Sequence, residues 1–235
     1  MKKIIKKSLE NSYSYQDYRL LIQQLLSDGK STGPNQSEEL TNYSLLNETR
    51  MKRLDKTIKI SEEVADEIQK IDDPQTWLLI TESWCGDATQ NLPIINKMAK
   101  LNDKIELKLV LRDENLELMD LFLTNNSRSI PKLIILDSQL NVINTWGPRP
   151  SIASKMAFEY KEKDGSLDAV FKQDLQVWYN KDKGENLQHD FVQLLQVATV
   201  NYNFLLKNIL KTANLKSFLR FFFVYICISR TIVCL

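Results

Sequence analysis

Apolar positions recur at helical spacing in residues 14–27, where Tyr18, Leu21, Ile22 and Leu25 share one side and Asp28, Gly29 and Lys30 close the run. The segment STGPN predicts a turn. Ser37, Glu38 and Glu39 then open a second helix towards Leu54, with negative charge in its first turn and Leu40, Tyr43 and Met51 on its apolar side. From Lys56 the period changes: Ile58 and Ile60 alternate as a short strand, and Ser61 caps a helix that runs to about Lys70. A strand is predicted at 76–82, followed by a helix with Leu92, Ile95 and Met98 on one side and Pro93 inside it. Residues 105–111 alternate Ile105, Leu107, Leu109 and Leu111 on one face, as a strand does. A helix from about Asn115 is expected to bury Leu116, Met119 and Leu123. Lys132–Asp137 and Val142–Trp146 read as a hairpin around the turn SQLN, and helices are predicted at 151–163, 166–179 and from Glu185.

This alternation predicts an α/β fold with a mostly parallel central sheet and an antiparallel terminal hairpin. The expected organisation is a helical extension at 1–55, a central domain at 56–163, helices packing on it at 164–212 and an apolar tail at 213–235.

Composition narrows the function classes. With 43% apolar residues the chain can bury a substantial core, and 31 basic against 30 acidic residues leave no global field for nucleic acid, so no nucleic-acid partner is expected. Cys85, Cys227 and Cys234 are too few for a secreted disulfide framework, and the basic start around Ile4 and Ile5 lacks the apolar core of a signal peptide. A reducing, cytoplasmic setting is expected. The apolar run Phe221–Ser229 would span about 14 Å as a helix, short of the ~30 Å hydrocarbon thickness, so no transmembrane span is expected. Residues 217–235 leave room for a membrane-surface or partner contact.

The stretch TWLLITESWCGDATQNLP carries the chemistry. Cys85 sits where a strand turns into a helix, facing N–H groups that lack partners within the helix and whose partial positive charge favours thiolate. It is the candidate nucleophile. Asp87 stabilises the helix start yet opposes that thiolate by its charge. No Walker A, GxGxxG or metal-binding Cys/His spacing is present, so neither a metal nor another cofactor is expected. His189 is the only histidine and reads as structural or solvated. Arg112, Asp113 and Glu114 are explained by capping and surface pairing.

Trp84, Cys85 and Gly86 at a strand-to-helix turn, with Pro93 in the helix and SIP before a strand, resemble the thioredoxin superfamily. The segments GPNQSEEL, RMKRLDKT, TESWCGDATQNLP, LRDEN, RSIPKLIILD and TWGPRP are similar to uncharacterised bacterial thioredoxin-like proteins with a WCGDA motif, over residues 12–195. The resemblance implies a thioredoxin-like fold, a mixed central sheet flanked by helices, with extra N-terminal and C-terminal helices. It also implies that Ile130 precedes a cis proline, Pro131, which shapes a substrate groove and offers Ile130 backbone groups to an extended partner. Arg128, close to that loop, is a candidate cation near Cys85 or for an anionic substrate group.

The departures from the family matter as much. Ala88 replaces the second cysteine, so Cys85 could form a mixed disulfide but would need another thiol to resolve it: a small thiol, a partner's cysteine, or Cys227 or Cys234. Leu79 replaces the buried carboxylate of many thioredoxins, and Glu82 is a poor positional substitute. Two functions therefore stand open: single-cysteine thiol-disulfide exchange with a protein or low-molecular-weight thiol or disulfide, and a thioredoxin-fold binding or scaffold protein that has lost turnover.

Overall fold

Four strands build one sheet in the computed structural model, which describes residues 1–196: β1 Gln75–Thr81, β2 Ile105–Leu111, β3 Lys132–Asp137 and β4 Val142–Trp146. Their order is β2-β1-β3-β4. Only β1 and β2 pair in parallel; β3 runs antiparallel to both β1 and β4, so the sheet is mixed rather than mostly parallel. The central position of β1 explains its composition: Trp77, Leu78, Leu79 and Ile80 are all fully buried, as a strand covered on both faces requires.

The helices are α1 Lys2–Glu10, α2 Tyr15–Ser27, α3 Glu38–Thr57, α4 Glu62–Gln69, α5 Gly86–Ala99, α6 Leu116–Met119, α7 Ser151–Asp164 and α8 Ala169–Asp182. A ninth, α9, starts at 185 and reaches the last described residue. Local chemistry sets their starts. Ser14, Ser37 and Ser61 each accept the N–H of a residue in the first turn of α2, α3 and α4, which satisfies a donor with no partner inside the helix.

One face of the sheet buries Leu78, Ile80, Val110, Ile134 and Leu136 against Ile5, Met119 and Phe122. Trp77, on the other face, packs on Phe191 of α9 at 5.5 Å between ring centroids, and Trp146 of β4 lies 5.9 Å from the same ring.

Three expectations change, and one helix is added to them. Ile58 and Ile60 form no strand, because α3 continues to Thr57 and leaves only a short connector before α4. That connector is held by Lys97 Nζ donating to the Ile58 carbonyl at 2.6 Å and Gln188 Nε2 donating to the Lys59 carbonyl at 3.2 Å. The outer edge of β2 is met instead by Tyr13, which exchanges two backbone hydrogen bonds of 2.8 Å with Leu109. Lysine-rich α1 is a true helix, with Ile5 fully buried in the core. The helix near 115 is a single turn that buries Leu118 and Met119 and leaves Leu116 and Leu123 exposed. Finally, α3 turns Ser44, Asn47 and Glu48 inward with Met51 and Leu54, while Tyr43 faces out. The expectations for 197–212 and the apolar run Phe221–Ser229, with Cys227 and Cys234, lie outside the described residues.

Candidate functional site

The end of β1 delivers the chain to a turn in which Cys85 becomes the N-cap of α5. Its Sγ accepts the Ala88 N–H at 3.4 Å and donates to the Ile130 carbonyl at 3.3 Å. The Ile130–Pro131 bond is cis, as the resemblance implied. A donor thiol is a protonated thiol. Burial pushes the Cys85 thiol up to about 12 and the Asp87 charge pushes the same way, against the Ala88 and Asp87 N–H groups and Arg149. Desolvation is the largest cause of the rise, and the Asp87 charge adds to it. Both causes keep the thiol protonated at neutral pH.

Asp87 is itself buried and anchored from two directions. Its Oδ1 accepts the Tyr179 hydroxyl at 2.9 Å, and its Oδ2 meets Arg149 Nη2 at 2.8 Å. Asn91 Nδ2 donates to both the Asp87 carbonyl, at 2.7 Å, and the Tyr179 hydroxyl, at 3.2 Å. Burial raises the Asp87 pKa, while Arg149 and Tyr179 pull it down. Arg149 reaches this position through the cis Gly147–Pro148 bond that follows β4. Gly147 has φ +114° and a Cβ there would overlap the Pro131 carbonyl, so glycine lets the two proline loops close on each other.

The opposite side of the turn is tied to the N-terminal helices. Ser83 Oγ meets Ser44 Oγ at 2.7 Å and accepts the Thr32 N–H at 3.1 Å, while the Ser83 carbonyl accepts Asn47 Nδ2 at 2.8 Å. Glu82 is buried at 1% exposure; it accepts the Thr32 hydroxyl and, at 3.0 Å, the Asp113 N–H. Burial raises its pKa despite these donors. Trp84, next in the chain, carries the Arg112 guanidinium 4.8 Å above its ring, and Arg112 in turn pairs with Asp113 at 2.8 Å.

A cleft of about 610 Å³ opens over Trp84, Cys85, Gly86 and Asp87, walled by Leu40, Tyr43 and Arg50 of α3 and by Phe171, Lys172 and Gln176 of α8. The thiol, Trp84, Gly86 and Asp87 are thus brought together as the motif suggests. Ile130 and Pro131 are not part of the cleft lining; the Ile130 carbonyl is occupied by the thiol. Arg128 binds Asp120 at 2.6 and 2.8 Å on the exposed surface. The cation acting on Cys85 is Arg149, which local sequence features did not single out beyond the TWGPRP segment. Tyr179 and Arg50 were missed as well, since each joins the cleft only through long-range packing, whereas Glu82, read from sequence as a poor positional substitute, proves buried beside the turn. His189 is exposed and meets Gln193 at 3.0 Å. Among the described residues there is no group of three or more side chains suited to a metal, and no helix long and apolar enough to cross a membrane.

A mixed sheet between helices, with a strand-to-helix cysteine beside a cis proline, defines a thioredoxin-like α/β protein. The family model for thioredoxin matches residues 33–164, and the chain belongs to that family. No curated protein matches it. Among solved structures it is similar to an HIV epitope-scaffold, with 16% identity over 78% of this chain and 98% of that one and a TM-score of 0.49. It is also similar to a protein of unknown function from Pseudomonas aeruginosa, with 19% identity over 79% and 99% and a TM-score of 0.48.

Proposed function

We propose that this thioredoxin-fold protein is a binding module that receives its ligand in the cleft over Cys85, with thiol exchange at most a slow, single-step property of the site. The observation that carries this is the state of the thiol. Cys85 is 8% exposed, donates to the Ile130 carbonyl and is held protonated by burial, so it lacks the thiolate that rapid attack on a disulfide needs. Ala88 leaves no second thiol within the helix to release a trapped partner. The cleft volume lies within the range of ~300–1,000 Å³ typical of small-molecule sites. A reducing compartment such as the cytoplasm remains the expected setting.

A second function is kept open by one feature: Cys85 does line the cleft, beside a cis-proline loop. A disulfide ligand seated there would be attacked by Cys85 Sγ, forming the mixed disulfide and expelling the other half as a thiol that takes the Cys85 proton. The rate of Cys85 alkylation against pH, on folded protein with Cys227 and Cys234 changed to serine, separates the two. A rate that climbs through pH 9 without a plateau supports the binding module. A plateau below pH 8 overturns it in favour of the redox protein.

A further inference from the structure

Two cations at the cleft have bonding capacity that the fold does not use. Arg149 is held by one end only: Nη2 is paired with Asp87, whereas Nε is buried with no hydrogen-bond partner among the described residues. That N–H is closed off from solvent, so Arg149 offers a cleft ligand its positive charge and not this donor. Arg50, on the α3 wall, is also held by one end. Its only described polar contact is Nη1 to Asn47 Oδ1 at 3.1 Å, with no carboxylate paired to it among the described residues. Burial and the neighbouring Arg53 both work against its charge. Lys172 adds a third cation from α8. Against these three stand Glu39 and Asp87, and Asp87 is already committed to Arg149 and Tyr179. Leu40, Tyr43, Leu167, Phe171 and Leu175 make the apolar and aromatic part of the wall, and Gln173 and Gln176 are its uncharged polar side chains.

Resting on the cleft being the ligand site, we infer that its ligand is a small organic anion, a carboxylate or phosphate carried on an apolar body. Arginine is suited to this because its planar fork gives two parallel charge-assisted hydrogen bonds to either oxyanion. The N-terminus of α5 opens onto the same cleft and adds partial positive charge of the same sign. Apolar walls account for the body of the ligand and the cavity volume bounds its size; the cations account for its charge.

The test is isothermal titration of the full chain with three naphthalene probes of one shape: 1-naphthoate, 1-naphthyl phosphate and the neutral 1-naphthamide. None of them reacts with a thiol, so binding is read apart from Cys85 chemistry. At least one anion is expected to bind tenfold or more tighter than the amide, with affinity falling as salt is raised. The tighter of the two identifies the oxyanion. Arg50→Gln should remove most of that advantage and leave the amide unchanged; Arg50→Lys should restore part of it. Equal binding of the amide and the anions would overturn the anion inference while leaving the cleft as a ligand site. No binding of any probe at millimolar concentration would overturn both.

Discussion

The two sides of the Ser83–Asp87 turn are both polar and both buried, yet they are finished differently. On the inner side, Thr32, Ser44, Asn47, Glu82 and Ser83 exchange hydrogen bonds until each has a partner, and one turn further along α3 Glu48 takes both Nε and Nη2 of Arg19 at 2.9 Å. On the cleft side Asp87 is satisfied, but Arg149 Nε has no acceptor and Arg50 has no counter-charge among the described residues. A closed network specifies structure; an open one leaves capacity for something that arrives later. The same helix, α3, supplies both sides from adjoining faces, and Asn47 touches both: its Nδ2 donates to the Ser83 carbonyl and its Oδ1 accepts from Arg50.

The largest effect should come from breaking the inner side. Arg19→Met leaves Glu48, whose side chain is 4% exposed, with only Gln23 and Lys52 as partners, and is expected to cost about 3 kcal/mol in urea unfolding. Replacing Arg19 and Glu48 together by methionine should recover much of that loss, because the buried carboxylate goes with its cation and the partly exposed Asp55 keeps the Tyr15 hydroxyl. Ser83→Ala removes the shared partner of Thr32 and Ser44 and should cost about 1–2 kcal/mol, with naphthoate affinity within twofold of the parent. A large loss of affinity instead would mean the two sides are one unit.

On the cleft side, Asp87→Asn takes away a negative charge that raises the Cys85 pKa and keeps an oxygen for Tyr179. Alkylation at pH 8 should speed up by about tenfold, the equivalent of one pKa unit. Glu82 gives the inner side a pH signature. Its folded pKa is raised by burial, so its stabilising contribution is complete below the ordinary glutamate value of ~4.3 and is lost as pH rises through the folded pKa. Urea midpoints of the parent minus those of Glu82→Gln should therefore decline from pH 4 to pH 7; a flat difference would contradict the burial effect. The smallest change in stability is expected from Arg50→Gln, within about 1 kcal/mol of the parent, since its one described hydrogen bond, to Asn47 Oδ1, is one that a glutamine amide can also donate.

Local chemistry was legible in the chain. Ser37 and Ser61 announced helix starts by their oxygens followed by acidic first turns, and β1, β2 and the β3–β4 hairpin followed from apolar runs between turn residues. The position of Cys85 at a helix start and the cis bond before Pro131 could be expected from residues a few places apart, together with the family resemblance. What was missed depends on distance along the chain. Tyr13 reaches β2 in place of Ile58 and Ile60, Thr32 and Asn47 reach Ser83, and Tyr179 and Arg149 reach Asp87. Helical period cannot reveal that Ser44, Asn47 and Glu48 form the inward face of α3, because hydrophobicity marks burial only where the buried partner is also apolar.

By itself, then, the sequence determined the elements, their caps and the motif that carries the thiol, since each arises from neighbours within one or two turns. Tertiary structure alone decided the chemistry of that thiol. The helix terminus favours its charged form, but enclosure beneath the cleft and the approach of Asp87 raise the energy of that form more than the nearby N–H groups and Arg149 lower it.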